Sequence, residues 1–417
     1  MKTTQVVIAT SASATLLLAA TPGIAANGWS KPAKAAGGWT SVAISANGKT
    51  NYAGWIDSGQ LKVSMNGGTT KTLVSRADRL DPAIAASNAG AGILFADCKA
   101  TSPEIGFVVT KDSGTTWSTP TTVAEEPCVQ LQLKTSTDGQ TLLAIWAAGD
   151  SPTVWRSSVS TDGGASWSAA TDMPPIAFDP AIAMSSDGSR VVVVYERRIG
   201  GQDTVQVATS SDSGRSWQDP RNISPGSNSG LAFEDMDASA DLKHVAVILQ
   251  NSSARADQNL VSVSKNSGGS WSTPKAVGKK GDYANSVVAI SDNGKHVASA
   301  WTSFTRKGAQ AFVVSRSSNG GTKWGKPVTA DGSSNTKQFP SFEMSGNGKR
   351  LIALWSGTRG IVAARNSGKK WTSTVLQSRK GSQLGPVLAT SADGKRAIAG
   401  WQVGATSPKV YRSTAKL

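Results

Sequence analysis

The side chains of this 417-residue chain whose types could do chemistry fall in two recurring settings. Arg197, Arg198, Arg306 and Arg359 follow short apolar stretches, and their planar guanidinium forks suit bidentate binding of a carboxylate. Asp81, Asp179, Glu234, Asp235 and Asp282 lead into such stretches, where a carboxyl group could move a proton. Tyr283 is the one tyrosine of four in that second setting. His244 and His296 are the only two histidines, and each follows a Lys in a polar turn. A His-based triad and a His-ligated metal centre are therefore excluded, and both histidines are expected to be solvated. Gly90-Ala-Gly92 lacks the spacing and following helix of a phosphate loop. No metal and no cofactor are expected.

A repeat must position these groups. One sub-pattern, S-x-D-x-G-x-x-W, reads Ser160-Thr-Asp162-Gly-Gly164-Ala-Ser-Trp167 and recurs with Asp212 and Trp217. Thr110-Lys-Asp112-Ser-Gly114-Thr-Thr-Trp117 is nearly the same. Later copies carry Asn266 with Trp271, Asn319 with Trp324 and Asn366 with Trp371, and a decayed first copy has Asn66 but ends in Lys71. A second sub-pattern, S-x-(D/N)-G, has an aromatic seven residues after the Gly, as from Gly48 to Trp55 and from Gly188 to Tyr195. Around Leu242 the Gly is lost, and around Gly90 the spacing slips. Together they count eight units of about 50 residues, or seven if the irregular second unit forms no sheet of its own.

Each unit reads as four short strands, which predicts an all-β fold: one β-propeller over residues 27–417. Val191-Val-Val-Val194 suits a strand buried on both faces. Pro120, Pro220, Pro274 and Pro327 follow the box Trp and mark outer edge strands, where no ladder donor is needed. The last unit stops after three strands, and Gly28-Trp29-Ser30-Lys31-Pro32 matches the opening of an outer strand. That segment is predicted to close the ring beside Val410-Tyr411.

The boxes resemble those of the sialidase (BNR/Asp-box repeat) superfamily, over nearly the whole of residues 27–417. Asp112, Asp162, Asp212, Asn266, Asn319 and Asn366 read as structural turn residues: the side chain accepts turn amides, the Gly takes a positive φ and the Trp packs into the blade. The resemblance places a cleft on the face opposite the boxes. It also implies three arginines for a sugar carboxylate, with Arg197, Arg198, Arg306 and Arg359 as the candidates. A tyrosine nucleophile assisted by a glutamate and an aspartate acid/base are implied too, with Tyr283, Glu234 and Asp179 as candidates. The chain departs from the family pattern, because no arginine precedes Arg76 and the family's early x-R-I-P motif is absent. The reading is thus a glycan- or anionic-polymer-binding propeller without a complete sialidase centre; the alternative is an exo-alpha-sialidase, a glycoside hydrolase acting on terminal sialic acids.

Cys98 and Cys128 fall on the presumed cleft face of neighbouring units, so a disulfide is expected there, against the alternative of two buried thiols. Residues 1–26 read as an export signal, which predicts a secreted, monomeric protein with no transmembrane segment. The formal net charge of +15 favours a glycan or another anionic cell-surface polymer over a specific nucleic acid, for which no recognition motif is present. Cations recur at the turns on the box face: Lys49, Arg190, Lys243, Lys295, Lys349, Arg350, Lys395 and Arg396, with Lys111, Arg215, Lys265, Lys323, Lys369 and Lys370 in the boxes. They form either a solubilising fringe or a belt that adheres to an anionic surface.

Overall fold

A computed structural model describes residues 28–34, 40–78, 81–97, 102–149, 154–176, 180–199, 202–223, 231–251, 257–281, 283–304, 310–331, 338–367, 370–378, 383–404 and 409–416. Among them the strands form eight four-stranded antiparallel sheets, the blades of a β-propeller. The inner strands of blades one to eight are Thr40–Ile44, Ala83–Ala86, Cys128–Thr135, Ala181–Met184, Leu231–Ala238, Tyr283–Ile290, Gln338–Met344 and Gln383–Thr390. The irregular second unit forms its own sheet, from Ala83–Ala86 to Thr121–Ala124, so the count is eight. No helix among the described residues is long and apolar enough to cross a membrane.

Each blade is sandwiched between two others, so its second strand must be apolar on both faces. Ala91–Asp97 and Leu142–Ala148 are buried at every residue. The core is a set of inter-blade layers: Val192, Val194 and Val207 of blade four pack with Phe233, Val245 and Val247 of blade five. Burial of each such side chain stabilises the ring by roughly 1.5–3 kcal/mol. The box tryptophans add to these layers: Trp117 of blade two meets Tyr52 of blade one edge-on, with centroids 6.3 Å apart. Trp167 of blade three meets Phe107 of blade two in the same way at 5.1 Å. Tyr195 fills in the second strand of blade four the slot held by Trp55, Trp146, Trp301, Trp355 and Trp401 in other blades, and is fully buried. Outer strands begin directly after the marked prolines, as in Thr121–Ala124, Arg221–Asn222, Lys275–Gly281 and Val328–Asp331.

Blade eight takes its outer strand from the beginning of the chain. Ala33–Lys34 pairs with Lys409–Lys416 in the register Ala33↔Arg412 and Lys34↔Tyr411. Trp29 bridges Ala415 and is 2% exposed among Leu376, Leu388 and Trp401. The Ser30 N–H donates to the Thr414 carbonyl at 2.7 Å. The expected export signal, residues 1–26, lies outside the described residues.

Candidate functional site

The turns between first and second strands and those between third and fourth strands share one face. On it, the two turn types use one device. Asp187 Oδ1 accepts the Ser189 N–H at 3.0 Å, and Asn347 Oδ1 accepts the Lys349 N–H at the same distance. In the boxes, Asp162 accepts the Ser166 N–H at 3.0 Å and Asn266 accepts the Ser270 N–H at 2.8 Å. Asp112, Asp212 and Asn319 do likewise with Thr116, Ser216 and Lys323. Hydrogen bonds from Ser185 and Ser189 hold the Asp187 carboxyl down at about 2, and those from Ser210 and Ser216 outweigh desolvation to hold Asp212 there too. The polar side chains of the turns are therefore occupied in making the turns.

Asn366 departs from this pattern. It pairs with Leu351 and with Trp371 inside a hairpin that continues through Ser367↔Lys370. Its register is that of the box serine (Val297↔Ser317, Val245↔Ser264), not of the box Asp. The shortened turn leaves no loop for it to cap, and its Oδ1 accepts from Arg316 Nη1 at 3.2 Å instead.

The histidines are not solvated turn residues. Both are half-buried, and each ring lies over a glycine of the next blade. A Cβ on Gly294 would lie 2.1 Å from the His244 ring, and one on Gly348 would lie 2.4 Å from His296. Burial, with Arg316 and Lys295 nearby, pushes His296 below its usual value.

On the opposite face, Arg197 and Arg198 lie near the end of the second strand of blade four, in register with Thr204 and Asp203. Arg359 is exposed in the turn after Leu351–Gly357 of blade seven. Blades five and six stand between them. Glu234 is on the inner strand of blade five and Tyr283 begins that of blade six, so these two candidates come from neighbouring inner strands. Asp179, Asp282, Arg306 and Cys98 lie outside the described residues, and the expected Cys98–Cys128 pairing with them; Cys128 is buried at the start of its strand.

The inner strands carry Asp237, Glu343 and Lys134, which sequence reasoning passed over, and give Glu234 and Asp235 backbone partners it did not foresee. An inner strand has no sheet partner on its axial edge, so its N–H groups there need acceptors. The inner strand of blade five supplies them to blade six. Glu234 accepts from Ser286 N at 3.4 Å, Asp235 from Val288 N at 2.9 Å and Asp237 from Ile290 N at 2.8 Å. A register shift between Phe233 and Asp235 sets this alignment. Desolvation, with Asp237 and Glu234 adjacent, pushes Asp235 up to about 8 despite the Val288 bond. Glu343 of blade seven is buried and raised further by Asp237 and Asp235, while Thr390 opposes the shift. Lys134 of blade three is 6% exposed, and burial pushes its ammonium down to about 7. The signal was present as Glu234-Asp235-Met-Asp237, an acidic run inside a strand. Among the described residues, no group of three or more His, Cys, Asp or Glu is placed to hold a metal ion.

The box face also holds a groove of about 910 Å³ across blades six, seven and eight. Its lining includes Arg316, Lys349, Arg350, Arg365 and Lys395 against one carboxylate, Asp393. Asp393 is itself within 3.3 Å of Lys395 Nζ.

The fold and its capped turns define an eight-bladed Asp-box propeller. The BNR repeat-like domain family matches residues 93–297, and over those residues the chain is similar to that family. No curated protein matches it. Among solved structures it is similar to the polysaccharide lyase Uly1, at 9% identity and TM-score 0.51, over 80% of this chain and 89% of that one. An ulvan lyase from a new polysaccharide lyase family is similar at 10% identity and TM-score 0.51, over 88% and 96%. The Trypanosoma rangeli sialidase matches at 13% identity and TM-score 0.40, over 84% of this chain and 55% of its own. At these identities the likeness is one of fold.

Proposed function

We propose that this protein is a secreted, non-catalytic propeller that holds an acidic glycan or another anionic cell-surface polymer against its Asp-box face. The observation that carries the reading is the distribution of charge. Exposed cations stand beside the turns from blade to blade, including Lys49, Lys111, Arg215, Lys243, Lys265, Lys295, Lys323, Lys349 and Lys395. The carboxylates next to them accept turn amides, and only some cations turn back to the turns: Lys243 and Lys395 lie 3.5 and 3.3 Å from Asp241 and Asp393, and Lys111 donates to the Asp162 carbonyl at 3.3 Å. A polymer with regularly spaced negative groups would meet such a face at several points at once, giving avidity from individually weak contacts. Two lyases of like fold act, by name, on polysaccharide, which supports the ligand class.

The other reading, an exo-alpha-sialidase, draws support from Glu234 and Tyr283 lying on neighbouring inner strands. It lacks an arginine before Arg76, and of its arginine candidates the described ones, Arg197, Arg198 and Arg359, are on blades four and seven. One experiment separates the two. Binding of the full chain to immobilised heparin and to polygalacturonate is measured from low to high salt, alongside turnover of a fluorogenic sialoside. Retention that falls steeply with salt, with no turnover, is the expected outcome. Turnover abolished by Arg359→Ala would replace the binding reading with the hydrolase, and absence of any retention would remove the binding reading.

A further inference from the structure

The two capping positions are not filled alike around the ring. At the first turn, blades three, four, five and eight use Asp138, Asp187, Asp241 and Asp393, whereas blades one, six and seven use Asn47, Asn293 and Asn347. The cap geometry is unchanged: Asn293 accepts the Lys295 N–H at 2.9 Å, and Asp393 accepts the Lys395 N–H at 2.9 Å. In the box, Asp112, Asp162 and Asp212 of blades two to four give way to Asn266 and Asn319 in blades five and six, and blade seven has no box cap. The amide keeps the hydrogen bond and removes the negative charge. Blades six and seven, like blade one with Asn47 and Asn66, thus carry no carboxylate at these two positions, and the groove of about 910 Å³ opens at blades six and seven, where the two form a neighbouring pair.

A second, independent observation concerns the third strands. The residue one pair from the box end is Met65, Val109, Val159, Thr209 and Val263 in blades one to five and Thr414 in blade eight. In blades six and seven it is Arg316, opposite Ala298, and Arg365, opposite Ile352. In blades one, four and five this position faces the next blade's box glycine: Met65 Sδ lies 2.6 Å from a Cβ built on Gly114, Thr209 lies 3.0 Å from one on Gly268, and Val263 lies 2.9 Å from one on Gly321. Arg316 reaches instead to the Gly348 carbonyl at 2.6 Å and to Asn366 Oδ1 at 3.2 Å, which holds its half-buried guanidinium in the wall of the groove. Arg350 is fixed in turn to the Asp393 carbonyl at 3.0 Å.

We infer that this groove is a dedicated anion subsite, in which Arg316 and Arg365 bind the sulfate or carboxylate groups of an acidic polysaccharide. The assignment rests on the anionic-glycan reading above and adds a place and a ligand chemistry to it. Arginine suits both groups through its paired N–H donors. Loss of one charge-assisted contact in a half-buried wall weakens binding roughly tenfold or more.

The test measures affinity of the full chain for heparin, which is sulfated, and for polygalacturonate, which carries carboxylates only, with neutral dextran and duplex DNA as further probes. Arg365→Ala is the first variant, and Arg316→Ala, which also loses the bonds to Gly348 and Asn366, is compared with it at matched thermal stability. Both are expected to weaken binding roughly tenfold, while Lys280→Ala, removing one exposed charge from the outer strand of blade five away from the turns, changes it less than about twofold. The ratio of heparin to polygalacturonate affinity assigns the subsite to sulfate or to carboxylate. Equal losses in Arg365→Ala and Lys280→Ala, with wild-type binding intact, would overturn the groove while leaving the anionic-glycan reading standing. Competition by duplex DNA as strong as by heparin would also overturn it. Failure of the wild type to bind either polysaccharide would remove the broader reading itself.

Discussion

Asp237 Oδ2 accepts the backbone N–H of Ile290 at 2.8 Å, across the boundary between blades five and six. With Asp235 on Val288, it satisfies the bare axial edge of a neighbouring strand at the cost of concentrating acid near the ring's axis. Glu343 joins that cluster from blade seven. An amide would satisfy the same N–H groups without charge, so the carboxylates make stability depend on pH.

The sign follows from the direction of each shift. Asp235 is raised from 3.8 to about 8, so its contribution is fully present below about pH 4 and is lost as pH rises through 8. Glu343 acts in the same sense. The turn carboxylates Asp187 and Asp212, lowered to about 2, contribute above about pH 4 and lose that contribution as pH falls toward 2. Thermal unfolding is therefore expected to peak in mildly acidic buffer and to decline toward pH 8. Asp235→Asn should flatten the decline and raise the melting temperature at pH 8, by roughly 1–3 °C. An unchanged slope in the variant would show that Asp235 is not the group responsible.

Two glycine positions separate backbone strain from packing. Gly385 has φ +52° and nothing within 4 Å of a built Cβ, whereas Gly348 has φ +72° and the His296 ring at 2.4 Å. Gly385→Ala is expected to cost about 1 kcal/mol, the left-handed backbone alone. Gly348→Ala adds an overlap between blades and should cost roughly 2–4 kcal/mol. Denaturant unfolding of the two variants checks this, and truncation of the ring in a Gly348→Ala, His296→Ala double variant should recover part of the second loss.

Much of this architecture was legible in the residues. The box and turn motifs are local, each carrying its own hydrogen-bond partners within a few positions, so spacing alone laid out the strands and the N-terminal closure. Asn366 shows where such reading slips: the motif letters fit, but the chain continues as a hairpin and moves the residue to the serine position. The structural role of the blade-five carboxylates, and Asp237 altogether, were hidden for another reason. Their partners lie about 50 residues away or across the ring, and only the assembled disc brings a bare strand edge to them. The Asn-for-Asp exchanges were visible as letters, yet their meaning depends on blades six and seven adjoining one groove.

The capping role of the box residue has its own test, because Asp and Asn make the same bonds in different blades. Asp162 accepts from Ser166 N at 3.0 Å and from Ser160 Oγ at 2.7 Å. Asp162→Asn keeps an acceptor there and should change stability by less than about 0.5 kcal/mol, as at Asn266. Asp162→Ala leaves the turn amide without its partner and should cost about 1–2 kcal/mol. Equal destabilisation by both substitutions would mean that charge, and not the hydrogen bond, matters at the box.

Closure of the ring is the most consequential joint, because it ties residue 29 to residue 415 and is made by one short strand. Trp29 is 2% exposed and packs with Leu376, Leu388 and Trp401, and the Ser30 N–H, hydroxyl and carbonyl all bond to Ser413 or Thr414. Trp29→Ala empties an aromatic site in the interface of blades seven and eight, which should cost roughly 3–5 kcal/mol. Because the ring's two ends meet at this point, the loss should appear as local opening of blade eight before global unfolding. Hydrogen exchange is expected to accelerate at Lys409–Lys416 in the variant while Leu142–Ala148, on the far side of the ring, keeps its protection. Uniform loss of protection in all blades would show instead that the disc opens as one cooperative unit and that its closure has no separate weak point.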